Sequence, residues 1–203
     1  MINIILVSIF GYLFGSIPFS FLIGKLFTKR DIRQVGDGNP GGTNAWKAGG
    51  KFVGLLSIGL DIFKGFLPVY IALQIGISEW GLVPVCLSPI LGHATQPFLK
   101  FRGGKALGVS GGVWAGIIGL WVFWNFTALT LMALLFVKDH AWAVMTGSTS
   151  LLLWAVFVDG SAWMIVLAIL TIALLSWTHR KELSKPPQFR PWVGKLFGVS
   201  DND

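Results

Sequence analysis

The hydrophobic residues of this 203-residue chain fall into long runs, separated by short segments rich in glycine and charge. A helix needs roughly 20 apolar residues to cross about 30 Å of hydrocarbon, and most of the runs approach that length. The pattern therefore predicts an all-α, polytopic membrane protein that forms a single integral membrane domain over residues 1–203. The predicted spans are 2–27, 52–73, 81–99, 106–121, 122–137, 141–158 and 161–178.

The apolar stretch 106–137 is ambiguous, because it is too long for one ordinary span and short for two. The distribution of basic residues favours two. With two short helices, all sixteen Lys and Arg except Lys64, which lies inside a predicted span, fall on one side of the membrane. The positive-inside rule makes that side the cytoplasm. We therefore expect about seven spans, with the N-terminus outside and the C-terminus inside.

Composition agrees with a membrane location. Hydrophobic residues make up 54% of the chain and charged residues 12%, and the mean hydropathy is +0.71. The net charge of +7 is explained by topology, so no nucleic-acid partner is expected. The opening MINIILVSIF lacks a basic n-region and a small-residue cleavage site, which predicts a retained span. Cys86 alone makes no internal disulfide, and no His and acid have metal-ligand spacing, so neither metal nor cofactor is expected.

Three polar clusters lie on the predicted inner face. They read KRDIRQVGDGNPGGTNAWK (29–47), LGHATQPFLKFRGGK (91–105) and THRKEL (178–183). Glycines let backbone N–H groups approach an anion closely, and Lys105 follows two glycines at the start of a span, where a helix N-terminus favours negative charge. The clusters predict a phosphate-bearing, amphiphilic substrate at the membrane boundary. The alternative for each cluster is an anchor to lipid headgroups or a simple turn.

Two further patterns need separate interpretations. Gly36, Gly38 and Gly41 match the G-x-G-x-x-G dinucleotide fingerprint, but a membrane span precedes them instead of a β-strand, so the match is accidental. Asp61 and Lys64 lie three residues apart in the second predicted span, share one helix face and can pair. Such a pair is either functional or a structural pin between helices, and both hypotheses stay open.

Four strings in this order resemble a known family: GYLFGSIPFSFLIGK, DIRQVGDGNPGGTN, DIFKG and LGHATQPFLKFRGGKA. They are similar to the bacterial PlsY family of acyl-phosphate-dependent glycerol-3-phosphate acyltransferases over about residues 11–108. The resemblance implies a seven-helix inner-membrane protein whose active site faces the cytoplasm. The implied reaction, a step of phospholipid biosynthesis, moves an acyl chain from acyl phosphate to glycerol 3-phosphate and forms lysophosphatidic acid. It implies no metal or cofactor, and the oligomeric state stays open.

The resemblance also implies the site residues. Asp37, Lys105 and His179 occupy the catalytic positions, with Lys105 contacting substrate phosphate and His179 at the glycerol phosphate site. The residues expected to bind substrate are Gly36, Gly38, Asn39, Gly41, Thr43, Asn44, Lys47, His93, Gly103, Gly104, Arg180 and Glu182.

The chain departs from the family pattern within these motifs. Asp37 stands where the family has a serine, and Glu182 where it has a substrate-facing asparagine. Lys47, displaced behind Trp46, takes the place of an arginine, and AWAVMTG lacks the serines expected near the sixth span. Lysine does not reproduce the bidentate phosphate contact of arginine, and two additional carboxylates repel a dianionic ligand.

Three hypotheses follow from these departures. In the first, Asp37 is a general base in an acyltransferase with a changed, neutral or cationic acceptor. In the second, the reaction is the standard one, and Lys47, Arg33 or Arg180 neutralises Asp37 and Glu182. In the third, the scaffold serves a non-catalytic transporter, flippase or lipid-binding protein.

Overall fold

The structure, a computed structural model, describes residues 1–196. Within these residues every extended regular element is a helix, which confirms the all-α class. Short 3-10 turns occupy Ile32–Gln34, Glu79–Gly81 and Pro97–Leu99, and a π-helical turn, Ala155–Asp159, extends α7. The helices are α1 (Ile2–Gly15), α2 (Phe19–Thr28), α3 (Gly42–Gln74), α4 (Leu82–Thr95), α5 (Leu107–Ile118), α6 (Trp121–Phe136), α7 (His140–Trp154), α8 (Ala162–Thr178), α9 (Arg180–Leu183) and α10 (Pro191–Leu196).

Four helical stretches are long and apolar enough to cross a bilayer, namely Ile2–Thr28, Gly42–Gln74, Glu79–Leu99 and His140–Asp159. Helices α5, α6 and α8 are shorter and apolar. The ambiguous stretch 106–137 forms two helices, as predicted. They separate at Gly119, whose φ of 76° favours glycine.

The first predicted span, 2–27, is two helices in the structure. The chain breaks between Ser16 and Pro18, because proline has no N–H to continue the hydrogen-bond ladder of α1. Helix α1 packs against α3 and α4, and α2 packs against α3. The break leaves the carbonyl of Ile17 inside the protein, where it accepts a hydrogen bond from Lys64.

The second predicted span, 52–73, is the latter part of a longer helix that folds back on itself. At Gly50, φ is 78° and ψ is −171°, a conformation that is essentially restricted to glycine. The segments on either side lie antiparallel, since a methyl group on Gly54 would meet Trp46 and one on Gly42 would meet Ile58. This turn returns the glycine-rich loop 36–41 to the middle of α3.

Helices α3 and α5 approach unusually closely through small residues, which is typical of helix contacts in membranes. Gly108, Gly112 and Gly116 repeat every four residues along α5 and face α3. A methyl group on Gly112 would overlap the backbone of α3, as would one on Gly65 with the backbone of α5. The close packing fixes the start of α5, and with it Lys105, against the middle of α3.

Candidate active site

A cavity of about 830 Å³ opens among α3, α5, α6, α7 and α8. Polar side chains from the three predicted clusters line one part of it, and apolar side chains of the spans line the rest. A pocket with a few convergent polar groups and a large apolar wall is typical of a ligand site. The polar lining includes Asp37, Asn39, Thr43, Asn44, Lys47, Asp61, His93, Lys105, His140 and His179, and the apolar lining includes Ile58, Ile62, Trp114, Phe123, Phe126, Val144, Leu151 and Leu175.

The loop GDGNPGGTN is folded around the carboxylate of Asp37. Oδ1 of Asp37 accepts hydrogen bonds from the backbone N–H of Asn39 at 3.1 Å and from Nδ2 of Asn44 at 2.9 Å. Nδ2 of Asn44 also donates to the carbonyl of Asn39, at 2.9 Å. Gly36 and Gly38 take φ values of 64° and 76°, which the tight turn requires. Asp37 therefore accepts the hydrogen bonds that a phosphate-binding loop would donate to a bound phosphate.

Lys105 joins the three polar clusters. Its Nζ lies 2.7 Å from Oδ2 of Asp37 and 2.9 Å from Oε1 of Glu182. The hydroxyl of Thr178 donates to the carbonyl of Lys105 at 3.0 Å, which ties the start of α5 to the end of α8. One ammonium group is thus shared by two carboxylates, one from the glycine-rich loop and one from α9.

Lys105 stabilises the ionised form of both carboxylates, and they stabilise its ammonium form. Partial burial would raise the pKa of Asp37, but the hydrogen bonds from Lys105, Asn39 and Asn44 lower it to about 2. Burial likewise opposes ionisation of Glu182, and the bond and charge of Lys105 lower its pKa. Burial would lower the pKa of Lys105, and the two carboxylates raise it above its usual value. The cluster therefore holds one positive and two negative charges at neutral pH.

The hypothesis that Lys47, Arg33 or Arg180 neutralises the two acids is wrong about the partner. Arg33 pairs with Asp31 at 2.7 Å. The guanidinium of Arg180 donates to the carbonyl of Trp177 and lies 5.2 Å from the centre of its ring. Within residues 1–196, Lys47 pairs with no carboxylate. Lys105 is the partner because α9 begins directly after α8 and brings Glu182 over the start of α5.

His179 lines the cavity directly after the end of α8. Its Nδ1 lies 2.8 Å from the carbonyl oxygen of Leu175. A carbonyl only accepts, so this contact assigns the proton to Nδ1 and leaves Nε2 as an acceptor. Burial lowers the pKa of His179, which favours the neutral imidazole. Nε2 of the neutral imidazole can therefore accept a proton.

The structure brings together most of the predicted site residues. The predicted residues that line the cavity are Asp37, Asn39, Gly41, Thr43, Asn44, Lys47, His93, Lys105 and His179. Glu182 reaches the site through Lys105. Gly103 and Gly104 pack their backbone against the end of α4, where a side chain would overlap Ala94 and His93. Arg180 is exposed and outside this lining, and its role in substrate binding stays a prediction.

The apolar wall of the cavity was absent from the sequence analysis. Trp114 is fully buried, and its indole N–H lies 3.3 Å from the hydroxyl of Thr171. Phe123 and Phe126 come from α6, and Leu151 from α7. In the sequence these residues belong to uniformly apolar runs, so nothing distinguishes a side chain that faces a cavity from one that faces lipid. His140 was missed as well, since it stands alone at the start of α7.

A charged pocket that continues into an apolar cavity, inside a helical membrane protein, defines a site for an amphiphilic substrate. Comparisons with known proteins agree. The family model described as glycerol-3-phosphate acyltransferase matches residues 5–186. A glycerol-3-phosphate acyltransferase of Thermus thermophilus is 34% identical over 175 residues, which cover 86% of this chain and 87% of the relative.

Solved structures show the same fold. The crystal structure of PlsY, an integral membrane glycerol 3-phosphate acyltransferase, in its glycerol 3-phosphate form is 30% identical with a TM-score of 0.79, covering 97% of this chain and 94% of that one. Its lysophosphatidic acid form is 29% identical with a TM-score of 0.78, covering 97% and 93%. The chain belongs to the glycerol-3-phosphate acyltransferase family. It is a membrane acyltransferase, which removes the hypothesis of a non-catalytic transporter.

Proposed function

We propose that this enzyme transfers an acyl chain from acyl phosphate to the 1-hydroxyl of glycerol 3-phosphate. The products are lysophosphatidic acid and phosphate. The observation that carries the proposal is the continuity of the cavity, which runs from the Lys105 cluster to an apolar wall able to bury a fatty acyl chain. The two forms in which the related PlsY structure was solved, with glycerol 3-phosphate and with lysophosphatidic acid, support the same acceptor and product.

The distribution of charge suggests where each part of the substrates binds. Lys105 and Lys47 line the polar part, and the backbone N–H groups of the loop at residues 36–44 are close by. Phosphate groups are placed there because ammonium groups and glycine-rich backbone attract anions. The acyl chain extends between Trp114 and the aromatic rings of α6, where it leaves water.

The chemistry follows from this placement. The acceptor hydroxyl oxygen attacks the acyl carbonyl carbon, and the hydroxyl proton passes to Nε2 of His179. The new C–O ester bond forms, and the C–O bond to phosphate then breaks with its electron pair leaving on phosphate. Lys105 stabilises the negative charge of the leaving phosphate, and His179 returns its proton to phosphate or to water.

Asp37 is a poor candidate for the general base. Its pKa of about 2 means that it binds protons weakly at neutral pH, and both of its oxygens already accept hydrogen bonds. We propose that Asp37 and Glu182 compete with substrate phosphate for Lys105. Both carboxylates form ion pairs with the ammonium group that a substrate phosphate would bind. This assignment favours the standard reaction, with the acids paired to Lys105, over a base at Asp37.

Replacing the two competitors should strengthen acceptor binding. In Asp37→Ser/Glu182→Asn, two carboxylates no longer repel the dianionic acceptor, and we expect the KM for glycerol 3-phosphate to fall by roughly ten-fold, a modest change because both acids are partly exposed. Initial rates of acyl transfer at varied acceptor concentration measure this. Glu79→Gln, an exposed acid between α3 and α4, is the control and should leave KM unchanged.

Weaker acceptor binding in the double variant would contradict the competition between the two acids and substrate phosphate. If the double variant binds glycerol 3-phosphate more weakly and loses transfer to an uncharged or cationic acceptor such as glycerol or ethanolamine, the two acids contact the acceptor directly. The standard acceptor would then be wrong.

We further propose that the site faces the cytoplasm of a bacterial inner membrane, with the N-terminus outside. The support is the clustering of Lys and Arg near the loops that build the site, while Glu79 and Asp159 occupy loops without Lys or Arg. Cys86 is buried, so introduced cysteines can be labelled selectively. Asp159→Cys should react with an impermeant maleimide in spheroplasts and Lys100→Cys only after lysis; the reverse would contradict this orientation.

A further inference from the structure

Asp61 and Lys64 form an ion pair inside the helical bundle, apart from the Lys105 cluster. Nζ of Lys64 is fully buried and lies 2.9 Å from Oδ1 of Asp61. It also donates to the carbonyl of Ile17 at 2.8 Å. Oδ2 of Asp61 accepts from the hydroxyl of Ser20 at 2.6 Å. The pair is therefore anchored to the break itself, at Ile17, and to the first turn of α2, at Ser20.

Asp61 approaches the segment after Lys105 directly and the segment before it through His93 of α4. A methyl group on Gly108, in the first turn of α5, would lie 3.4 Å from Cβ of Asp61. On the other flank, Nδ1 of His93 lies 3.8 Å from Oδ1 of Asp61, and the imidazole ring faces Gly104 so closely that a side chain there would overlap it. The carbonyl of His93 accepts from the N–H of Gly104 at 3.1 Å.

The simplest alternative is that the ion pair only holds helices together. Burying two charges costs free energy, and well-packed apolar side chains of similar volume are often as stable or more stable. Helices α3 and α5 already contact through Gly65 and Gly112, whose small size brings the backbones together. Contact between α3 and α5 therefore does not require an acid and a lysine at these positions. The pair also holds the α1–α2 break through Ile17 and Ser20, and a role limited to that break predicts no effect on Lys105.

We propose that Asp61 and Lys64 are positioning residues for Lys105 and act through His93. The α1–α2 break holds the pair, and the pair positions the imidazole of His93. The imidazole in turn packs against the backbone of Gly104, directly before Lys105. Nζ of Lys105 is thereby kept at the polar end of the cavity, within reach of the substrate phosphate. This inference rests on the proposed function of Lys105 as a phosphate ligand.

A variant cycle tests the proposal. Asp61→Leu/Lys64→Leu removes both charges and keeps apolar volume, so it should fold, which thermal unfolding in detergent verifies. We expect kcat/KM to fall by roughly 10- to 100-fold, because small displacements of a positioning group are costly to transfer rates. His93→Gln should lose a similar factor. Ser88→Ala removes a buried hydroxyl that bonds only within α4, and this control should keep the parent rate.

The triple variant Asp61→Leu/Lys64→Leu/His93→Gln shows whether the ion pair acts through His93. If the pair acts through His93, adding His93→Gln to the double variant should cost less than about three-fold more, since residues in one network are non-additive. Multiplied losses, or parent kinetics in a folded double variant, would overturn the proposal. Should the double variant not fold, Asp61→Asn, which keeps the shape and an oxygen for Lys64, takes its place in the same cycle.

Binding of inorganic phosphate, followed by ³¹P NMR on the same proteins, separates this proposal from the proposed function. A parent that binds phosphate but transfers no acyl group defeats the function alone. Weaker phosphate binding by the Asp61 and His93 variants, relative to Ser88→Ala, supports the positioning role. Unchanged binding in those variants contradicts it.

Discussion

Lys105→Met should abolish most of the acyl transfer, with kcat/KM falling by about 10³-fold. The substitution removes the ammonium group that stabilises the leaving phosphate, and a single lost electrostatic contact of this type costs on the order of 10²- to 10³-fold. It also leaves Asp37 and Glu182 ionised and without their shared partner, so a dianionic substrate meets two negative charges. Steady-state transfer of radiolabelled acyl chains measures the effect.

Two matched variants isolate the cause. Lys100→Met removes an exposed lysine from the same loop and should keep transfer within about two-fold of the parent. Lys105→Met/Asp37→Ser/Glu182→Asn should recover part of the lost rate, because the repulsion is gone while the ammonium group is still missing. A Lys105→Met enzyme within ten-fold of the parent would contradict the central place of this residue.

His179→Gln should lower kcat by about 10²- to 10⁴-fold, the range expected for loss of a general base. In the parent enzyme, the rate should fall as the pH drops through the pKa of His179, because the protonated imidazole accepts no proton. Burial lowers the pKa of His179 from its usual value of 6.5, so the fall should be centred below that value. A pH profile of kcat shows it.

The matched variant for this profile is Asp37→Asn. Asp37 has a pKa of about 2 and stays ionised from pH 5 to pH 8, so the variant should keep an acid limb. The limb should move slightly to lower pH, because burial lowers the pKa of His179 and the negative charge of Asp37 partly offsets this in the parent. His179→Gln should lose that limb. If Asp37→Asn removes the limb and His179→Gln keeps it, the proton acceptor is Asp37, and the changed-acceptor hypothesis returns.

The arrangement of the fold was predictable only in part. Apolar runs and charges predicted the helices, including the two in 106–137, because both follow from local composition. The break at Ser16–Pro18 was missed although Pro18 stands there, since proline in a membrane helix often only kinks it. The fold-back at Gly50 was missed because residues 36–54 contain many glycines, and the sequence does not show which of them adopts a positive φ.

The candidate site was also predictable only in part. Glycines, histidines and Lys105 were identified from motifs, and the structure places both of those histidines, Lys105 and one of the glycines, Gly41, in the lining of one cavity. The pairing of Lys105 with both Asp37 and Glu182 depends on three segments far apart in sequence, so it was assigned to the wrong cations. The apolar wall carried no signal, because Trp114 and Phe126 look like any other residues of a membrane span.

The departure at Asp37 now has a physical account. The carboxylate takes the place of a ligand anion inside the loop, where it accepts hydrogen bonds from Asn39, Asn44 and Lys105. Its low pKa argues against base chemistry and for competition with phosphate. Under the proposed function, we expect the acid to change how tightly the site binds its substrate, while the transfer reaction itself needs no new group.

The central claim is that the enzyme joins acyl phosphate and glycerol 3-phosphate in the cavity around Lys105. Purified protein in liposomes, supplied with ¹⁴C-palmitoyl phosphate and glycerol 3-phosphate, tests it directly. We predict labelled lysophosphatidic acid and one equivalent of phosphate per ester formed, with neither product above background in Lys105→Met. Label that reaches only an uncharged acceptor, or no acceptor, would contradict the claim.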